Sequence, residues 1–304
     1  MITRRQYQDI VWTNLENPTA GEVAEVAEEF AIHPIIAEDL RHPTTRTKAE
    51  AYDNCIYLIL HFPIFHHHNN QKEYWELDFV IGKKFIITSH YEPVTTIHEF
   101  DKIIERDMAL DKKKEFVHAG FIFYALLRHL QQTVLEHLDG IADDLGTIEE
   151  GIFNGNEKGM VRYIALISHE ILDIKRALHN HTRILQSLEQ KSYPLFGSKF
   201  THYITILVGQ SEKTWEQLEH TKETLVDLRE TNDSLLSSKT NEVMKSLTML
   251  ALITFPMTLI ATIFSMRTEG TPLIAEPQGF WIVVGAMAVL GLSMLGFFKY
   301  KKWF

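Results

Sequence analysis

Two uncharged apolar runs stand out in the last quarter of the chain. Leu247 to Met266 reads LTMLALITFPMTLIATIFSM, roughly 20 residues, the length at which a helix rising 1.5 Å per residue crosses a hydrocarbon core. Phe280 to Phe298 reads FWIVVGAMAVLGLSMLGFF and is long enough to do the same. Only residues 267–279 separate them, so the pattern predicts a transmembrane hairpin. Pro256 lies inside the first run, where neighbouring helices or threonine side chains can satisfy the carbonyl it frees. Phe280-Trp281 and Trp303 suit the membrane interfaces, and Gly285, Gly291, Ala286 and Ala288 offer small faces for close helix contact.

Upstream the pattern changes twice. Before about residue 100, short β-rich runs at Cys55–Leu60, Leu77–Ile81 and Lys84–Thr88 alternate with helical stretches such as Gly21 to Phe30, with Gly82-Lys83 as a hairpin turn. This predicts an α+β layer structure. After Phe116 the pattern is helical. Ala119–Glu150 and Met160–Lys191 form two amphipathic stretches around the turn-forming Gly151 to Gly159, which lacks the Gly-Lys-Ser/Thr of a phosphate loop.

A third helix begins near Lys199 and meets no proline or glycine from Gln210 through Phe255, so about 45 residues or more run unbroken into the membrane. Its apolar positions Leu218, Leu225, Leu228, Leu235 and Leu236 lie among charges and need partners, for which self-association is the simplest solution. The resulting order is an α/β domain at 1–115, a helical hairpin at 116–198, a stalk at 199–246, spans at 247–266 and 280–298 around an external loop at 267–279, and a basic tail at 299–304.

Composition narrows the function. With 45% hydrophobic residues in 304, the chain can bury a full core, and a mean hydropathy of -0.11 confines any membrane part to a minority of it. The net charge of -10 argues against a nucleic-acid partner. Cys55, the single cysteine, excludes an intramolecular disulfide and reads as a small buried residue. No apolar run follows Arg4-Arg5, so the N-terminus does not read as a signal peptide. Lys239 and Lys245 precede the first span and Lys299, Lys301 and Lys302 follow the second, which places both ends in the cytoplasm of a multi-pass protein of the cell (inner) membrane. Motifs for hydrolase, P-loop or dinucleotide chemistry are absent, so the sequence predicts no enzyme.

Steps of three and four along the first span trace Asn241, Met244, Leu247, Ala251, Phe255, Thr258, Thr262 and Ser265. This face is a pore lining with apolar constrictions and oxygen-bearing rings, or equally a packing face of small residues. Asn241-Glu-Val-Met-Lys245, Leu247-Thr, Pro256, Thr258-Leu-Ile-Ala, a short loop, a second span and a terminal Lys-Lys-Trp closely resemble the C-terminal region of the CorA family of magnesium transporters. The resemblance implies a homopentameric funnel in the lipid bilayer whose stalk helices line one pore for Mg2+, and sometimes Co2+ or Ni2+. It implies no tightly bound cofactor, the divalent cation being cargo or regulator. It also gives Asn241 the role of a polar ring, Leu247 and Phe255 that of apolar gates, and Thr258 that of a hydroxyl ring.

At the outer mouth the family's Gly-Met-Asn is here Ser265-Met266-Arg267, with Glu269 and Glu276 as the nearby carboxylates. A hydrated Mg2+ needs oxygen acceptors, whereas Arg267 supplies donors and positive charge. Three readings follow: Arg267 turns outward to Glu269 or Glu276, the pore selects another ion such as Zn2+, or the chain is a non-conducting sensor or scaffold. His66-His67-His68 is a polar loop tip whose imidazoles also suit Zn2+, Ni2+ or Co2+. His169, His179 and His181 are a second histidine group on the helices. At the family's regulatory carboxylate position stands Ile206, with His66 near the partnering one, while Asp139, Asp143, Asp144, Glu149 and Glu150 make an acidic helix able to gather cations weakly.

Overall fold

A computed structural model of the chain describes residues 1–64, 74–110, 118–266 and 278–301. It divides into two units, Met1–Arg229 and Glu230–Phe304.

The first unit is built on a mixed six-stranded sheet of β1 (Ile2–Tyr7), β2 (Ile10–Glu16), β3 (Lys48–Ala51), β4 (Cys55–Pro63), β5 (Tyr74–Gly82) and β6 (Phe85–His90). The strand order is β1-β2-β6-β5-β4-β3, with β2 and β6 parallel and every other pair antiparallel. β4 is buried along its whole length, as an almost uninterrupted apolar run must be when both faces of a sheet are covered. Between β5 and β6, Gly82 lies so close to the Phe85 ring that any Cβ there would overlap it.

Helices cover both faces. α1 (Ala20–Glu29) and α2 (Pro34–Asp39) bury Val23, Val26 and Ile36 against Leu15, Tyr57, Ile59, Val80 and Ile87. A capping box starts α1, the Thr19 hydroxyl accepting from the Glu22 amide while the Glu22 carboxylate accepts from the Thr19 amide. On the other face lie α3 (Thr95–Leu110), α4 (Gly120–Phe153), α5 (Glu157–Leu178) and α6 (His181–Phe196), where Phe123 of α4 meets Phe79 edge to face at 5.1 Å. Edge strand β1 shows the two-sidedness directly. Arg4 pairs with Glu25 and Glu29 of α1, while Arg5 turns the other way to Asp101 of α3.

The stretch expected as one helix from Met160 to Lys191 is two, broken at His179-Asn180. His181 starts the second and is fully buried, donating from Nε2 to the His61 carbonyl at 2.7 Å. Helix α7 (Ser198–Ser265) is continuous through Gly209 and Pro256, and α8 (Gly279–Tyr300) follows it. Self-association is not needed to cover the upper α7 stripe. Leu218, Leu225 and Leu228 are buried within the first unit, where α7 is tied to α4, α5 and α6 by Gln217–Asp139, Lys175–Glu219 and Thr182–Ser211.

Candidate functional site

In Glu230–Phe304, α7 and α8 are long and apolar enough to cross a membrane, and each turns one narrow stripe to the other. On α7 the stripe runs through Met249, Ile253, Pro256, Met257, Ile260 and Phe264 and on α8 through Val283, Met287, Leu290, Gly291, Met294 and Phe298, all of them covered or half-covered. Both sets recur every three to four residues, the repeat of one helical face. Gly291 sits against the Met257 methyl, where a Cβ would overlap it, whereas Gly285 has open space around it. Of the two glycines expected at a close helix contact, Gly291 alone serves the contact within the chain.

The face read as a candidate ion path lies on the other side of α7. At 100° per residue, Asn241, Met244, Leu247, Ala251, Phe255, Thr258, Thr262 and Ser265 centre roughly opposite the stripe that α8 covers. All are exposed except Ala251, which is half-covered, and Phe255 keeps 72% of its surface uncovered. The threonines carry a specific chemistry. Thr258 Oγ1 donates to the Thr254 carbonyl at 2.9 Å and Thr262 Oγ1 donates to the Thr258 carbonyl at 2.7 Å. Each hydroxyl spends its one proton on its own helix, so its oxygen faces outward as an acceptor. The waters around a hydrated cation present hydrogens outward, and acceptors are what they bind. The threonines flanking Pro256 bond the Leu250 and Thr254 carbonyls, so the freed carbonyl at Leu252 is not their target.

The outer-mouth residues Arg267, Glu269 and Glu276 and the run His66-His67-His68 lie outside the described residues; Ser265 and Met266 end α7, both exposed. The second histidine group is not brought together: His181 is buried, His169 and His179 are exposed, and the His179 ring stands 5.9 Å from that of Trp215. Burial pushes the His181 imidazole down to about 4, so it is neutral near pH 7. Asp139 of the acidic helix accepts from Gln217, and Asp143, Asp144, Glu149 and Glu150 are exposed. Among the described residues no group of three or more His, Cys, Asp or Glu converges as metal ligands do. Cys55 is buried, and burial pushes its thiol up to about 11.

Sequence reasoning missed the α8-facing stripe of α7, because a period is invisible where almost every position is apolar. It also missed a buried polar group on the sheet. Glu76 and Asp78 of β5 lie inside the first unit, and the one signal for them was a charged residue within the apolar run Leu77-Asp-Phe-Val-Ile81.

The family model described as CorA-like Mg2+ transporter protein matches residues 7–301. The cobalt/magnesium transport protein CorA of Thermotoga maritima is 26% identical over 296 residues, covering 96% of this chain and 83% of that protein. A putative metal ion transporter of Bacillus subtilis, YfjQ, is 24% identical over 305 residues, covering 100% and 93%. The complete structure of the CorA magnesium transporter from Methanocaldococcus jannaschii superposes with a TM-score of 0.84 at 19% identity, covering 99% of this chain and 94% of that one.

Proposed function

The chain belongs to the CorA-like Mg2+ transporter family, and from that premise we propose that it is a homopentameric channel passing a hydrated divalent cation, Mg2+ foremost, along the α7 face from Asn241 to Thr262. The observation that carries this reading is the uncovered face opposite the α8 contact, with its acceptor hydroxyls at Thr258 and Thr262. Mg2+ sheds its waters reluctantly, so a path that binds the hydration shell through acceptors passes it without that cost. Five copies of α7 around one axis set Asn241 and the two threonines as polar rings, and Met244, Leu247 and Phe255 as apolar constrictions that close by dewetting. The lysines flanking the spans, Lys239, Lys245, Lys299 and Lys301, support a cell-membrane orientation with both chain ends on the cytoplasmic side.

Arg267 favours one second reading, a non-conducting sensor or scaffold. A ring of five guanidinium groups at the mouth repels a divalent ion, unless each pairs with Glu269 or Glu276. Uptake of Mg2+, Co2+, Ni2+ and Zn2+ into proteoliposomes under an inside-negative potential separates the two. Mg2+ flux through the unmodified chain supports the channel. Flux of Zn2+ alone moves the selectivity, and flux that appears only in Arg267→Asn makes the natural chain the non-conducting relative.

A further inference from the structure

On the face of the sheet that meets α3, four buried side chains form one hydrogen-bonded series that the ion path does not use. In the parallel pair of β2 and β6, Asn14 lies opposite Thr88 and Glu16 opposite His90, so Trp12 and Asn14 share a face with Thr88 and His90. Phe100 of α3 covers that face, meeting Trp12 edge to face at 5.8 Å. All four side chains are buried, Thr88 and His90 completely. Trp12 Nε1 donates to Thr88 Oγ1 at 3.0 Å, and Thr88 Oγ1 donates to Asn14 Oδ1 at 2.7 Å. Asn14 Nδ2 then lies 3.2 Å from His90 Nε2, and His90 Nδ1 lies 2.5 Å from the Glu92 carbonyl oxygen.

The direction of the whole series is set at one end. An indole N–H can only donate, so the Thr88 hydroxyl accepts from Trp12 and spends its own proton on Asn14. That commits the Asn14 oxygen to Thr88 and turns its NH2 to His90. Nε2 is therefore the bare, accepting nitrogen, and Nδ1 carries the hydrogen given to the Glu92 carbonyl. Asn14 cannot turn over to adapt, because its NH2 would then face the Thr88 proton. His90 also holds backbone, its carbonyl accepting from the Asn17 amide at 2.7 Å just past the end of β2. The charged and titratable groups around it are Glu16 of β2, His98 of α3 and the N-terminal ammonium. Glu16 pairs with His98 at 3.8 Å, and the ammonium donates to the Glu16 carbonyl. His129 of α4 stacks on Phe100, on the far side of α3 from the series.

We propose that Trp12, Thr88, Asn14 and His90 form an acid-released latch that fastens residues 90–94, the connection from β6 to α3, to the end of β2. A proton taken from solvent has one place to go, Nε2, and there it meets the Asn14 NH2, donor against donor. The imidazolium abandons that contact for water, and the bond that restrains the Glu92 carbonyl goes with it. Burial holds the His90 imidazole below its ordinary 6.5, although the Glu92 carbonyl and the Glu16 carboxylate pull the other way. The latched form thus refuses a proton that the opened form binds at the ordinary value. The latch is whole above about 6.5 and weakens as the pH falls below it.

Hydrogen exchange of the full chain in detergent, corrected for the intrinsic rate and read in peptides covering Asn17 and residues 90–98, tests the latch. A His181→Gln background removes the response of the other buried imidazole. In that background protection of these peptides falls several-fold from about pH 7.5 to about pH 5.5, up to about tenfold, the limit for one group that titrates near 6.5 only when open. Asn14→Asp supplies an acceptor to Thr88 and to the imidazolium together, so protection holds or rises on acidification. Thr88→Val frees the Asn14 amide to turn its oxygen to the imidazolium; it flattens the profile and serves if Asn14→Asp does not fold. A flat profile with Asn14 and Thr88 intact, or an equal fall in a folded variant, overturns the proposal.

Discussion

In Met1–Arg229 the large apolar side chains turn inward, Phe79, Phe123, Leu126 and Leu130 all being buried, and charges coat the outside. In Glu230–Phe304 the order is reversed. Among the described residues there, Met249 and Phe298 are the buried large apolar side chains, while Phe255, Leu259, Phe280, Trp281, Val289 and Leu292 all lie exposed. One chain thus obeys two solvents. Water drives the first unit to hide apolar surface, whereas lipid removes that drive and leaves helix contact to small residues and shape. The α7–α8 stripe, with one glycine under one methionine, is what contact looks like when burial contributes so little.

The largest expected effects come from exchanging these regimes. Phe123→Ala opens a cavity beside Phe79 and costs about 3–5 kcal/mol, read as a lower urea midpoint of the full chain in detergent. An arginine is the matching probe for exposure. Val161 on α5 and Val289 near the middle of α8 are both exposed. Val161→Arg meets water and stays within about 0.5 kcal/mol. Val289→Arg meets hydrocarbon and costs about 2.5–3.5 kcal/mol of insertion, measured as the inserted fraction of the second span. Equal behaviour of the two variants breaks the comparison.

Acid sharpens it further. His181 is neutral in the folded first unit, its imidazole held down to about 4 against an ordinary 6.5. The unfolded chain binds that proton first, so the contribution of His181 is whole above 6.5 and lost as the pH falls toward 4, about 2 kcal/mol of it by about pH 5. The uncharged spans have no such group. Hydrogen exchange at about pH 5 therefore loosens peptides of the first unit, and His181→Gln removes most of that pH dependence. Equal loosening of α8 peptides refutes the assignment.

How much of this was legible in the sequence depends on contrast. The spans and the strands at Cys55, Leu77 and Phe85 announced themselves because apolar runs met polar neighbours. β1 did not, since Arg4 and Arg5 are charged on both faces, and the reason for both charges, α1 on one side and α3 on the other, is tertiary. The break at His179-Asn180 carries neither glycine nor proline, and the buried imidazole of His181 that anchors it to β4 is visible only in three dimensions. The candidate ion path was traceable through Asn241, Thr258 and Thr262, polar marks at helical spacing on an apolar ground. The α8-facing side of the same helix carries no such marks.

The smallest effect is also the most discriminating for assembly. Gly291 and Gly285 occupy one helix, yet a Cβ meets the Met257 methyl at the first and nothing at the second. Gly291→Ala is absorbed by a swing of the flexible Met257 side chain at a cost under about 1 kcal/mol. At Gly285 the same change gains up to about 1 kcal/mol of helix propensity if lipid surrounds it. Thermal melts of the two variants in detergent place them in that order when α8 meets only lipid there. The reverse order, with Gly285→Ala the more damaging and the oligomer weakened in native mass measurements, locates a second close-packed helix against Gly285, Ala286 and Ala288. Since the chain's own α7 is engaged at Gly291, that helix has to come from another copy.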